Sequence, residues 1–221
     1  KILVGDGRAA GVRLRDAREW KARLAVVSNS DPYSTFVDMV GEDELPRTFV
    51  ERVKDIQVDE FAYFQVHLAL KAPVRYALHE AGDPAVAQAM NVNLGPEKPQ
   101  DIEQMWKEIR AGEFPEHPCL HAICPTAFDP LQAPKPKQAA SVFVPVPFQL
   151  EGKQPEDWVK LKNGFMDSVI KIWRRYATNL TDENIEMKVA MDPFYMSGRW
   201  PNMRRGSVWV ARKSATQMGA Q

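Results

Sequence analysis

The chain predicts an α+β fold: a mixed, largely antiparallel sheet with helices packed on one face, preceded by a β-meander. Three stretches carry that prediction. Glu60 to Lys71 alternates over a dozen positions, which is the period of a strand. Pro155 to Ala177 repeats large apolar residues at intervals of three and four, which is the period of a helix. The first 32 residues place Asp6-Gly7 between short apolar alternations, the signature of a tight hairpin.

In chain order, two short strands flank Asp6-Gly7, because glycine accepts the positive φ that such a turn needs. A second turn falls near Asp16-Ala17, and a third strand, Ala22 to Val27, leads to Ser28-Asn29. Asp31 suits a helix cap and Pro32 the first turn of a short helix that runs to Val40, with Gly41 just past its end. A second short helix spans roughly Arg47 to Ile56, with Phe49, Val50 and Val53 on one side. The strand Glu60 to Lys71 follows, with Ala62, Phe64, Val66, Leu68 and Leu70 on one face. Phe61, Tyr63, Gln65, His67 and Ala69 lie on the other.

Pro73 to Pro84 reads as loop with a helical turn. Ala87 to Leu94 reads as a strand that ends at Gly95-Pro96, and Pro99 to Ala111 as a helix stopped by Gly112. His117 to Cys124 is a further strand, followed by a proline-rich loop from Thr126 to Lys137. Ser141 to Leu150 is another strand, in which Pro145 and Pro147 predict an edge or a break in pairing. The long helix, Pro155 to Ala177, opens on a proline and two acids and closes on Lys171, Arg174 and Arg175, which complements its dipole. Asn184 to Met191 is a strand, Pro193 to Ser197 a short helix, and Ser207 to Ala211 a last strand.

A chain of 221 residues, 44% hydrophobic, buries a substantial core as one or at most two domains. Lys plus Arg and Asp plus Glu are 29 each, so nothing favours a nucleic acid or an acidic membrane electrostatically. No apolar run reaches the ~18 residues that span a bilayer. Two cysteines argue against a disulfide scaffold and suit a reducing compartment.

Among chemical constellations, His117, Cys119, His121 and Cys124 put four zinc-type ligands in eight residues. On a strand, however, Cys124 faces away from the other three, and neighbours on one face diverge too far for a compact tetrahedron. A Cys119–Cys124 disulfide fails too, since five strand residues span roughly 16 Å against a Cα limit of about 7 Å. No glycine-rich phosphate loop, nucleophile elbow or zinc-protease motif occurs, and no residue is singled out as catalytic. The pairs Arg174-Arg175 and Arg204-Arg205 are read as solvent-facing helix-end charges rather than phosphate ligands. Tyr63, Phe143, Trp200 and Trp209 either pack in the core or line an apolar site.

One pattern remains. If the strands form one sheet with helices on its apolar face, the opposite face collects Tyr63, Gln65, His67, Asn91, Asn93, His121 and Phe143. Apolar area with a few orienting hydrogen bonds makes a ligand wall. A solvated face, or one covered by a further domain, is the alternative.

The opening stretch, Ile2-x-Val4-x-Asp6-Gly7-Arg8 through Gly11-Val12, Asp16-x-Arg18 and Val26-Val27-Ser28-Asn29-x-Asp31-Pro32, resembles the β-meander of phytoene-desaturase-like FAD-dependent oxidoreductases. These are amine-oxidase-related flavoproteins. Ile123 to Pro134 with the Ser141–Phe143 strand after it, and Arg199 to Trp209, agree in order along the chain. The resemblance implies that residues 1–30 are meander and return strand of an FAD domain. Residues 31–221 would be a substrate-binding domain incomplete at its C-terminus. It implies FAD as cofactor of a longer parent, with Ser28 and Asn29 nearest to it; the substrate site is then the mixed face read above from alternation, with Tyr63, Gln65, His67, Asn91, His121 and Phe143. The parent would oxidise or isomerise an apolar small molecule by hydride transfer to flavin, and this portion alone would be inactive. Relatives commonly carry a histidine where this chain has Val210, a departure from the pattern that counts against carrying over a ligand-positioning role for such a histidine. The expected setting is the cytoplasm or an organelle matrix, without a transmembrane segment or nucleic acid and with peripheral membrane contact and homo-oligomers left open. Two alternatives are a non-enzymatic lipid- or protein-binding module and, more weakly, a metal-dependent hydrolase built on the His117 to Cys124 cluster.

Overall fold

The computed structural model describes residues 1–83, 85–86, 89–209 and 211–212. The chain opens with a three-stranded antiparallel sheet: β1 (Ile2–Gly5), β2 (Arg8–Arg13) and β3 (Glu19–Lys21). Asp6 and Gly7 take φ +51° and +71°, and Ala17 takes +66° at the second turn, where Asp16 accepts from the Arg18 N–H at 3.2 Å. The third strand is therefore Glu19–Lys21 and not Ala22 to Val27. The Ala22 N–H makes one more bond, to Ala10 O at 2.8 Å. Beyond it no described strand lies alongside, and Leu24 and Val27 stand out in solvent.

Residues 32–40 form the expected helix, wound as a π-helix over Ser34–Val40 and capped by Asp31, which accepts from the Ser34 N–H at 3.0 Å. Helix α1 (Arg47–Lys54) buries Val50 and Val53, and its Phe49 meets Phe36 edge-on. Then come β4 (Phe61–Leu70), α2 (Ala77–Glu80), β5 (Asn91–Leu94), α3 (Pro99–Ala111) and β6 (Leu120–Ile123). They are followed by β7 (Gln138–Pro147), α4 (Trp158–Trp173), β8 (Ile185–Met191) and α5 (Pro193–Arg199).

Five of the strands make one antiparallel sheet in the order β5-β6-β7-β4-β8. Its core face is the even-numbered one of β4: Ala62, Phe64, Val66 and Leu70 are fully buried, as are Val142, Val144 and Val146 of β7. Helix α4 lies on this face through Trp158, Met166, Val169, Ile170 and Trp173. Phe64 stacks on Trp158 with centroids 5.6 Å apart and meets Phe165 edge-on at 4.8 Å. Each such buried ring stabilises the fold by roughly 2–3 kcal/mol before entropy is subtracted.

Several boundaries differ from expectation. Strand β5 covers Asn91–Leu94 only; residues 87 and 88 lie outside the described residues, and Ala89 and Met90 are not in a strand. β6 starts at Leu120, because Pro118 has no N–H to donate and its carbonyl packs against Gly95. β7 is an interior strand rather than an edge, yet its pairing with β6 covers only Ser141, Val142 and Phe143. Pro145 and Pro147 lie past the end of β6 and are buried, where a strand without N–H groups leaves no donor unmatched. No strand forms over Ser207–Trp209: the Ser207 hydroxyl donates to Trp209 O at 2.8 Å and accepts from the Trp209 N–H, closing a turn. Val210 lies outside the described residues.

Candidate functional site

The face of the five-stranded sheet away from α4 carries alternate residues of every strand. Because the ladders are in register, Asn93, His121, Phe143, Gln65 and Met191 form one row across all five strands. The next row is Asn91, Ile123, Ser141, His67 and Val189. Tyr63 stands two residues from Gln65 on β4, opposite Pro145. The residues expected on the mixed wall are thus on one face. Tyr63, Gln65, His67, His121 and Phe143 are half-buried, and Asn91 and Asn93 are exposed.

Hydrogen bonds knit the centre of this wall. His67 Nδ1 lies 2.8 Å from Ser141 Oγ, and His67 Nε2 lies 3.3 Å from Gln65 Oε1. The Gln65 amide nitrogen donates to Met196 Sδ of α5 at 3.3 Å, which turns its oxygen towards the ring. With that orientation Nε2 donates to Gln65 Oε1, and a neutral ring then accepts the Ser141 hydroxyl at Nδ1. Burial lowers the pKa of His67 below its ordinary value, which agrees with the neutral form. Phe143 meets Tyr63 and His67 edge-on, with centroids 6.4 and 6.2 Å apart. Burial also pushes the Tyr63 hydroxyl and the Cys119 thiol up, so both keep their protons. Cys119 Sγ sits 3.9 Å from His121 Nε2.

None of these side chains is a carboxylate or an amine. The wall can hold a neutral molecule against aromatic rings and orient it through amide, imidazole and hydroxyl groups. Among the described residues no group of three or more His, Cys, Asp or Glu side chains is arranged to hold a metal ion. Cys124 is buried on the core face beside Tyr76, its thiol pushed up to about 11 by burial, and both cysteines are free.

Ser28 and Asn29 are exposed at the end of the meander and are not part of the wall. Ser28 Oγ bonds Thr35 Oγ1 at 2.8 Å and accepts from the Ser30 N–H at 3.3 Å. Ser28 borders a cleft of about 310 Å³ floored by Ile2, Val26 and Phe36. Sequence reasoning missed three contributors. Ser141 shares the parity of Phe143 and was legible from it; Met196 carried no signal. Arg204, read as a solvent-facing charge, stacks its guanidinium 4.0 Å over Tyr33 and faces the buried Asp31 at 3.5 Å and Asp38 at 3.4 Å. It fastens the first helix to the turn that follows α5.

No protein-family model matches the chain. A limonene dehydrogenase subunit of Castellaniella defragrans is 24% identical over 99% of the chain and 41% of its own length. Pyridine nucleotide-disulfide oxidoreductase domain-containing protein 2 of Mus musculus is 26% identical over 80% of the chain and 31% of its own length. The chloroplastic prolycopene isomerase of Arabidopsis thaliana is 32% identical over 33% of the chain and 12% of its own length. An oxidoreductase from Methanosarcina mazei of known structure aligns over 88% of the chain and 36% of its own, with a TM-score of 0.46 and 17% identity. The chain thus spans about two fifths or less of the curated relatives that it matches.

Proposed function

We propose, from the homology of this chain to proteins of the FAD-dependent oxidoreductase-related family, that it is the substrate-holding part of a longer flavoprotein acting on an apolar small molecule. The observation that carries the reading is the row of Asn93, His121, Phe143, Gln65 and Met191, a neutral, half-apolar wall that the core does not use. Tyr63 and Phe143 would supply the contact area. Gln65, His67, Asn91 and His121 would orient the ligand and keep water from one side of it. The names of two relatives, a limonene dehydrogenase subunit and a prolycopene isomerase, support an apolar substrate.

The residues present fit FAD only in part. Ser28 and Asn29 are exposed beyond the meander, where they would face a cofactor held elsewhere, but the chain has no glycine-rich phosphate cradle. A bound flavin would supply hydride acceptance; this chain would bind and orient the substrate and be inert alone. In this reading residues 1–30 belong with a cofactor domain and 31–221 with the substrate domain, in the cytoplasm or an organelle matrix. No helix among the described residues is long and apolar enough to cross a membrane.

The test is an absorbance spectrum of the full-length protein and of this chain, each purified with added FAD. The reading expects a flavin band near ~450 nm from the longer protein alone. No band from either overturns it and leaves a binding module, which the exposed Met187 and Val189 on the same face would then favour. Stoichiometric flavin on the 221-residue chain would overturn the assignment of FAD to segments outside it.

A further inference from the structure

At the Tyr63 end the wall runs into a cleft of about 390 Å³. Phe61 and Tyr63 of β4, Trp106 and Ile109 of α3, and Trp209 form its apolar sides; Asp59, Glu60, Arg110 and Arg212 form the rest. The rings are set against one another: Phe61 meets Trp106 at 4.8 Å and Tyr63 at 5.5 Å between centroids, both edge-on. Trp209 hydrogen-bonds the Tyr63 side chain. The backbone N–H of Arg212 donates to Gln57 O at 2.7 Å, which fastens this side of the cleft.

The charges of the rim are matched. Glu60 is gripped from two sides, by Arg110 at 3.1 Å and Arg212 at 2.8 Å, and the lining holds two carboxylates and two guanidinium groups. An anionic ligand would have to draw a guanidinium away from Glu60, whereas a neutral one needs neither moved. Four aromatic rings from three parts of the chain suit a ring-shaped apolar body, which gains both area and edge-to-face contacts. The volume lies in the range of small-molecule sites, roughly 300–1,000 Å³. Because Tyr63 belongs to both, the cleft and the wall are continuous.

We propose that the cleft of Phe61, Tyr63, Trp106 and Trp209 is a binding site for the cyclic end of a neutral apolar ligand, the remainder of which lies along the wall towards Phe143. This rests on the reading of the wall as ligand-facing, and the experiment separates the two. The 221-residue chain is titrated with N-phenyl-1-naphthylamine, a neutral ring-bearing fluorophore, excited directly so that loss of a tryptophan does not alter the signal. Trp209 is 41% exposed, so Trp209→Ala leaves the core intact. Trp106→Ala is accompanied by Trp106→Phe, which keeps a ring, and circular dichroism verifies each fold.

Saturable binding is expected, weakened about tenfold or more by Trp209→Ala and by Trp106→Ala, largely restored by Trp106→Phe, and weakened less by Phe143→Ala. Ile172→Thr serves as the control, since it alters a second apolar groove of about 430 Å³ beside α4, lined by Phe114, Leu161 and Phe165. If the tryptophan variants bind as the parent does while Phe143→Ala binds weakly, the cleft is overturned and the wall stands. If the reverse holds, the cleft stands and the wall reading falls. Binding lost only in Ile172→Thr, or no saturable binding, overturns the cleft.

Discussion

His67 is held neutral by its surroundings, and that has a consequence in acid. Burial lowers its folded-state pKa below the ordinary 6.5, so as pH falls the unfolded chain takes the proton first. The stability carried by the neutral ring is whole above pH 6.5 and is lost as pH falls through the folded-state value. The urea midpoint of the parent should therefore drop between about pH 7.5 and about pH 5, and His67→Gln should drop less, since it has no proton to gain. Equal acid sensitivity in both would mean that His67 is not buried as described. Alternation on β4 alone put Gln65 and His67 on the wall, because the strand is regular for ten residues. The Ser141 hydroxyl was within reach of the same logic. Met196 was not, since it comes from 131 positions further along the chain and no local pattern announces the contact. Arg204 was misread for a related reason: its partners Asp31 and Asp38 lie at the opposite end of the sequence.

Single elements were legible where the chain punctuates itself. α3 runs between Pro99 and the left-handed Gly112, and Asp31 caps its helix as its position foretold. Pairing boundaries were not: β5 and β7 shifted because they depend on where the neighbouring strand stops, and β3 because the turn at Ala17 sets where it begins. Gly95 marks one such boundary and permits a direct measurement. It takes φ +112°, and a Cβ there would fall 2.2 Å from Pro118 O, the carbonyl that precedes Cys119. Gly82 takes a similar φ of +106° with nothing within 4 Å. Gly82→Ala should cost about 1 kcal/mol from backbone strain alone, and Gly95→Ala at least about 2 kcal/mol, since the backbone of the loop before β6 must also give way. Urea denaturation of the two variants reads the difference, and equal costs would show that the close approach carries no strain.

For the molecule as a whole, fold class and the two-faced character of the sheet were readable, because they follow from composition and period. The strand order was not, since nothing local says that β7 returns to lie between β6 and β4. Among the described residues that order leaves β8 as an outer strand, with residues 186–189 all exposed. Its ladder slips between Ala69 and Leu70, where Met187 faces the first and Ile185 the second, so Glu186 is out of step. Glu186 is drawn to Lys137 at 2.7 Å and Lys188 to Asp167 at 2.6 Å. A straight, apolar outer strand invites another chain to pair with it, whereas a kinked one carrying charges does not. Replacing both charges, Glu186→Thr with Lys188→Val, should turn a clear concentrated solution into one that scatters light and binds thioflavin, with the parent staying clear. The break in the β8 ladder, a defect by the accounting of hydrogen bonds, is expected to work with those two charges against a sheet with Met187 and Val189 on show seeding fibres of its own kind.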